Sequence, residues 1–154
     1  MRSQLDQIDH AILRELQRDA RQSHQDLSER VGLSPSPCAR RISKLETQGY
    51  ITGYSASIDE RKLGFGFSVF VSVRLDRQID DLLVAFENEL SGLPEVVDCW
   101  LMTGSFDYLI RIAVQDLEEF ERFLTARLTK IPGVALLESS IPIRRVKYKP
   151  ARLE

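Results

Sequence analysis

An α+β chain, helices first and sheet second, is what these 154 residues predict, on three observations. Apolar residues recur every three or four positions over roughly the first fifty residues, and mostly every second position afterwards, with helical stretches between. Gly49 marks the change of period. A helix-to-strand junction is also written twice in the second half, as Leu90-x-x-Leu93-Pro94-Glu95-Val96 and again as Leu128-x-x-Ile131-Pro132-Gly133-Val134. Composition fits a globular chain: 43% apolar and 29% charged residues exclude disorder and collagen-like structure.

In the first half, Leu5, Ile8, Ile12 and Leu16 form one helical stripe, with Asp6 available as its N-cap. Ser23 and Asp26 make an S-x-x-D capping box for a second, short helix that carries Leu27 and Val31 inward and stops at Gly32. A third helix starts within Ser34-Pro35-Ser36-Pro37 and ends before Gly49. Ser36 is the expected cap, with Pro37 at the first helical position and Cys38, Ile42 and Leu45 inward. Tyr54, Ala56 and Ile58 then alternate as a short half-buried strand.

The charged run Asp59-Glu60-Arg61-Lys62 leads to Gly64 and Gly66, which predicts a first domain over 1–58, a linker over 59–66 and a second domain over 67–154. The second domain opens on a one-sided strand, Phe67, Val69, Val71, Val73 and Leu75. A helix near Asp80 follows, with Leu82, Leu83, Phe86 and Leu90. Two strands (Val97-Cys99-Leu101 and Tyr108-Ile110-Ile112-Val114) flank a tight turn at Gly104-Ser105. A helix capped by Asp116 with Glu119 is expected to bury Leu117, Phe120, Leu124 and Leu128, and a last strand to carry Leu137, Ile141 and Ile143. The order β-α-β-β-α-β is ferredoxin-like, and its final strand lies at an edge that tolerates Pro142.

Charge and residue chemistry narrow the function. The net charge of −2 means that any nucleic-acid site is a local patch. Cys38 and Cys99 are too far apart in sequence for a disulfide framework or zinc knuckle, which together with the lack of a signal-like leader predicts a cytoplasmic protein. No run approaches the ~20 apolar residues of a membrane span. The only histidines are His10 and His24, read as surface residues, so no catalytic residue, metal ligand or cofactor is assigned.

Three short helices with a Gly-bearing turn before the third, then a strand, describe a winged helix-turn-helix whose third helix would enter the DNA major groove. At roughly 100° per residue, the face opposite Cys38, Ile42 and Leu45 carries Ser36, Arg40, Ser43, Lys44 and Thr47. That face holds two cations, three hydroxyls and no acid. Arg40 and Lys44 can reach guanine edges or phosphates, and small serines permit close approach. Arg41 lies on the flank, suited to a phosphate or an internal ion pair, and Ser34 stands at the entry to the helix.

Leu5-Asp6-x-x-Asp9-x-x-Ile12-Leu13, followed by Leu27-Ser28-x-x-Val31-Gly32-Leu33-Ser34-x-Ser36-x-Cys38-x-Arg40-Arg41-Ile42-x-x-Leu45-Glu46-x-x-Gly49-x-Ile51, resembles the N-terminal domain of the leucine-responsive regulatory protein/AsnC family. Met102-Thr103-Gly104-Ser105-Phe106-Asp107-Tyr108-Leu109 and the βαββαβ half resemble that family's effector-sensing domain. The resemblance implies a transcription regulator that dimerises, assembles further toward octamers and answers to an amino acid; a homodimer with two-fold symmetry predicts a pseudo-palindromic double-stranded operator. The DNA contacts expected from the third helix are Ser34, Ser36, Arg40, Arg41, Ser43, Lys44 and Thr47. The resemblance puts the effector against Met102, Thr103, Gly104 and Asp107, with Ser139 and Ser140 of a neighbouring subunit. A zwitterion needs an anion for its ammonium and donors for its carboxylate, which Asp107 and the Gly104 backbone with the serines could supply. The competing reading of the same residues is a tight hairpin in which Asp107 bonds backbone. Ser105 departs from the acidic or amide residue common in the family, which points to an uncharged or apolar effector side chain beside Met102.

Two other functions share this architecture: a tetrapyrrole decarboxylase-like enzyme, and a sensor without DNA binding. The second half lacks the histidine that the first would want, and the acid-free face of Arg40 and Lys44 argues against the second. The basic tail (Arg144, Arg145, Lys147, Lys149 and Arg152) reads either as a charged edge strand that resists aggregation or as auxiliary contacts to DNA or another subunit.

Overall fold

The computed structural model describes residues 5–77, 80–149, 151 and 153. Its elements run α1 (Gln7–Arg18), α2 (His24–Val31), α3 (Pro35–Thr47), β1 (Phe67–Leu75), α4 (Asp80–Ser91), β2 (Val96–Leu101), β3 (Tyr108–Val114), α5 (Leu117–Ala126), a 3-10 turn at Leu128–Lys130, and β4 (Val134–Ser140). Contacts divide the chain into two units: Met1–Ser57 with Lys147–Glu154, and Ile58–Val146. Among the described residues no helix is long and apolar enough to cross a membrane.

In the first unit, α1 begins with a reciprocal capping box: Asp6 accepts from the Asp9 backbone N–H at 2.8 Å, and Asp9 accepts from that of Asp6 at 3.2 Å. Ser23 caps α2, and Gly32 ends it in the left-handed conformation (φ 72°), which a side chain would resist. That turn directs α3 across the pair, so that Ile12, Leu27, Cys38, Ile42 and Leu45 close a small core. Helix α3 starts two residues earlier than the serine–proline run predicts: Ser34 is the N-cap and Pro35 the first helical residue. Pro37 fits as well, because the first i→i−4 bond is made by the next residue, Cys38 N–H to the Ser34 carbonyl. The strand expected at Tyr54, Ala56 and Ile58 is absent, because alternation supplies side chains but not the neighbouring strand whose backbone groups a strand must meet. Tyr54 instead donates its hydroxyl to Glu46 at 2.9 Å. Partial desolvation of that hydroxyl and the neighbouring carboxylate push its ionisation up to about 12.

The second unit is an antiparallel sheet in the order β2-β3-β1-β4. Val69, Val71 and Val73 of β1 and Ile110 and Ile112 of β3 are fully buried, and Phe86, Leu90, Phe120 and Phe123 from the helices cover them. Each such side chain contributes roughly 1.5–3 kcal/mol of burial. The two copies of the repeated junction make the same turn: Val96 N–H bonds Leu93, and Val134 N–H bonds Ile131.

Three expectations need correction. Leu117 is exposed, because it is the first residue of its helix, and Phe123 takes the inward place. Strand β4 ends at Ser140, leaving Ile141 and Ile143 exposed beyond it; Pro142 lacks the N–H that would continue a ladder. The alternation of β2 buries neither face, since this is an edge strand that α4 covers only in part.

Residues 59–66, expected as a linker, group with the second unit. Asp59–Phe65 wind into consecutive hydrogen-bonded turns, and Glu60 forms a two-pronged pair with Arg111, each contact 2.9 Å. Arg111 holds the Glu60 carboxyl below the ordinary carboxylate range. A depressed folded-state value adds stability that is present above about pH 4.5 and is lost as pH falls through the folded value. Because Glu60 is partly exposed, the effect is small, at most about 1 kcal/mol. Glu60→Gln is therefore expected to lower the melting midpoint slightly near neutrality and to converge on the parent in acid. Parallel pH-melting curves would show that this pair carries no folding energy.

Candidate functional site

The α3 surface follows from how its inner face is used. With Cys38, Ile42 and Leu45 buried, Ser34, Ser36, Arg40, Ser43, Lys44 and Thr47 are all exposed. Ser36, Arg40, Ser43, Lys44 and Thr47 recur at three- and four-residue spacing and so share one face. Among the described residues neither Arg40 nor Lys44 takes part in an ion pair. The Thr47 hydroxyl donates to the Ser43 carbonyl at 2.8 Å, which leaves it an acceptor outward.

Arg41 is different. Its guanidinium donates to Asp6 and to Asp9, both at 2.7 Å, and Asp9 is buried. Those bonds raise the arginine's already high ionisation and, with the Asp9 backbone N–H, hold Asp6 low. Arg41 thus pins α3 to the start of α1. A cleft of about 350 Å³ beside the α3 surface is lined by Leu16, Ala20, Gln22, His24, Ser43 and Glu46.

In the second unit the turn between β2 and β3 is built around Asp107. Its backbone N–H bonds the Val73 carbonyl, and its own carbonyl accepts from Met102 N–H, both at 2.8 Å. Its carboxylate accepts from Leu75 N–H at 2.7 Å and is almost wholly buried. The β1–β3 ladder ends at Val73 and Tyr108, so a side chain takes over where the backbone turns away. Met102, Thr103 and Gly104 are exposed above it, with Gly104 at φ 116°.

Ser139 and Ser140 pair with Val71 and Phe70 on the far side of β1 from β3. Roughly two strand spacings, about 10 Å, therefore separate them from β3, the strand that Asp107 precedes. One chain brings Met102, Thr103, Gly104 and Asp107 together, but not the two serines with them. A separate cleft of about 440 Å³ between α4 and β2 is lined by Glu87, Leu90, Ser91, Cys99 and Tyr108, and the Tyr108 hydroxyl donates to Glu87 at 2.8 Å.

Sequence reading missed three partnerships: Glu60 with Arg111, Tyr54 with Glu46, and Tyr108 with Glu87. No spacing rule links such pairs. Asp9 was visible as the last residue of Asp6-x-x-Asp9, but its burial was not.

A helix-turn-helix whose third helix shows an acid-free cationic face, joined to a βαββαβ unit, defines a DNA-binding transcription regulator with a small-molecule-sensing domain. Residues 5–52 match the winged helix-turn-helix DNA-binding model, and 68–152 the Lrp/AsnC ligand-binding domain. The chain is 45% identical to the Bkd operon transcriptional regulator of Pseudomonas aeruginosa over 97% of both chains. It is 40% identical to the leucine-responsive regulatory protein of Escherichia coli over 93% of this chain and 87% of the relative. A Neisseria meningitidis transcriptional regulator solved as an L-Met complex superposes with a TM-score of 0.90 at 34% identity, covering 96% and 95% of the two chains. An AsnC family regulator from Agrobacterium tumefaciens gives 0.89 at 35% identity, covering 96% of each. The chain belongs to the Lrp/AsnC family of transcription regulators. It pairs a DNA-binding domain with a ligand-binding one.

Proposed function

We propose that the protein is a non-enzymatic, cytoplasmic regulator that binds its operator as a homodimer or larger assembly, reads it with Arg40 and Lys44, and responds to an apolar amino acid. The observation that carries this reading is the exposed α3 face, where among the described residues Arg40 and Lys44 take part in no ion pair. Ser34, Ser36, Ser43 and Thr47 sit beside them as small hydroxyl contacts, while Arg41 acts by fixing α3 against Asp6 and Asp9. The absence of histidine from 58–146 supports the non-enzymatic reading.

Dimerisation is proposed through the helix-free face of the sheet. There Trp100 and Leu136 are each 41% exposed, on the same side as Phe70, Leu109 and Arg111. A two-fold dimer sets recognition helices about 34 Å apart, or a multiple of that. The effector is proposed to lie on the turn Met102, Thr103 and Gly104, with Asp107 beneath it as a positioning residue and Ser139 and Ser140 supplied by another copy. Met102 and the uncharged Ser105 favour an apolar side chain, and the relatives named for leucine and for an L-Met complex are consistent with it.

Melting the assembled protein against the twenty amino acids tests the reading. An effector at a hundredfold its dissociation constant should add about 2.7 kcal/mol, a shift of several degrees. If no amino acid moves the midpoint, the sensing assignment fails.

A further inference from the structure

We infer that the C-terminal tail, Lys147–Glu154, is an accessory phosphate-binding arm of the DNA-binding unit. The inference rests on the DNA-binding reading above and extends it to residues outside the helix-turn-helix.

The chain passes between its two units twice, at Ser57/Ile58 and again at Val146/Lys147, so the tail belongs to the helical unit although it follows the sheet. Gln17 on α1 donates through Nε2 to the Ala151 carbonyl at 3.3 Å, and Leu153 is half-buried. Lys147 and Lys149 are exposed, and neither takes part in an ion pair among the described residues. They lie well past β4, which ends at Ser140, so they do not guard that sheet edge.

Charge decides what such an arm would meet. Residues 1–57 hold eight Lys and Arg against seven Asp and Glu, a balance of +1. Adding Lys147, Lys149 and Arg152 against Glu154 raises the unit to +3, while residues 58–146 hold −5. The tail therefore raises the net charge of the half that meets DNA from +1 to +3, in a chain whose total is negative. With a screening length near 8 Å in physiological salt, only such local charge attracts a phosphate backbone.

The docking point also fits. Gln17 sits in the last turn of α1, next to Arg18 and the α1–α2 corner. That corner's Ala20 and Gln22 line the same cleft as Ser43 of the α3 face. Arg18 and Arg21 flank that corner in sequence, and Lys147 and Lys149 add two further cations to the same unit. Flexible lysines without a fixed partner suit phosphates and carry no base specificity.

The test is Lys147→Gln with Lys149→Gln in the full chain, titrated with operator and with unrelated duplex at several salt concentrations. The slope of log affinity against log salt should fall by about 0.9 for each phosphate contact removed, equally for both duplexes, with the melting midpoint and sedimentation unchanged. Operator preference should survive, whereas Arg40→Ala with Lys44→Ala should remove it; loss in the second pair alone keeps the α3 reading and overturns this one. An unchanged salt slope in the tail variant also overturns it, as does a change confined to sedimentation, which would assign the tail to the acidic unit of another copy.

Discussion

Changing Arg40 and Lys44 together to alanine is expected to weaken operator binding at least thirtyfold, with the folded protein otherwise unchanged. Each side chain that reads a guanine edge through two bonds is worth about 1–3 kcal/mol, so two such contacts give about 2–6 kcal/mol. Neither residue contributes to the core: the inner face of α3 is Cys38, Ile42 and Leu45, and the pin to α1 is Arg41. The melting midpoint should stay within about a degree of the parent. Single variants apportion the roles. A base-reading residue loses operator affinity and leaves unrelated DNA alone, whereas a phosphate-binding one weakens both and lowers the salt slope by about 0.9. Anisotropy titrations on operator and scrambled duplexes measure this directly. Parent-like binding by the double variant on both duplexes would remove α3 from the interface.

The α3 face was legible because one local rule suffices for it: once Cys38, Ile42 and Leu45 are inward, helical geometry decides what is outward. The caps at Asp6, Ser23 and Asp116 and the repeated junction after Leu90 and Leu128 were legible for the same reason, since each spans a handful of consecutive residues. What stayed hidden depends on partners distant in the chain. Tyr54–Ile58 alternates like a strand, but nothing local says whether a neighbour exists to pair with it. The tail follows the sheet in sequence, and only its contacts group it with the helical unit. Glu60 and Arg111, fifty-one positions apart, make an apparent linker into an anchored segment. Asp107 belongs to both categories: the motif Gly104-Ser105-Phe106-Asp107 marked it, yet its carboxylate bonds Leu75 of β1, thirty-two positions away.

That contact makes Asp107 the second decisive site. Asp107→Ala leaves the Leu75 N–H unsatisfied in a place almost closed to water, a loss of about 1–3 kcal/mol that should lower the melting midpoint by several degrees. It also releases the support of the turn, because Met102 N–H bonds the carbonyl of the same residue. The amino-acid-induced shift should vanish with it. Operator binding without effector should persist, since α3 belongs to the other unit. Asp107→Asn separates support from charge: the amide oxygen keeps an acceptor for Leu75, while the negative charge is gone. If Asp107 acts by holding the turn in place, the asparagine variant keeps most of the midpoint and most of the response to the effector. A variant with parent-like melting but no amino-acid response would show instead that the carboxylate itself grips the ligand's ammonium, and the positioning role would have to be abandoned.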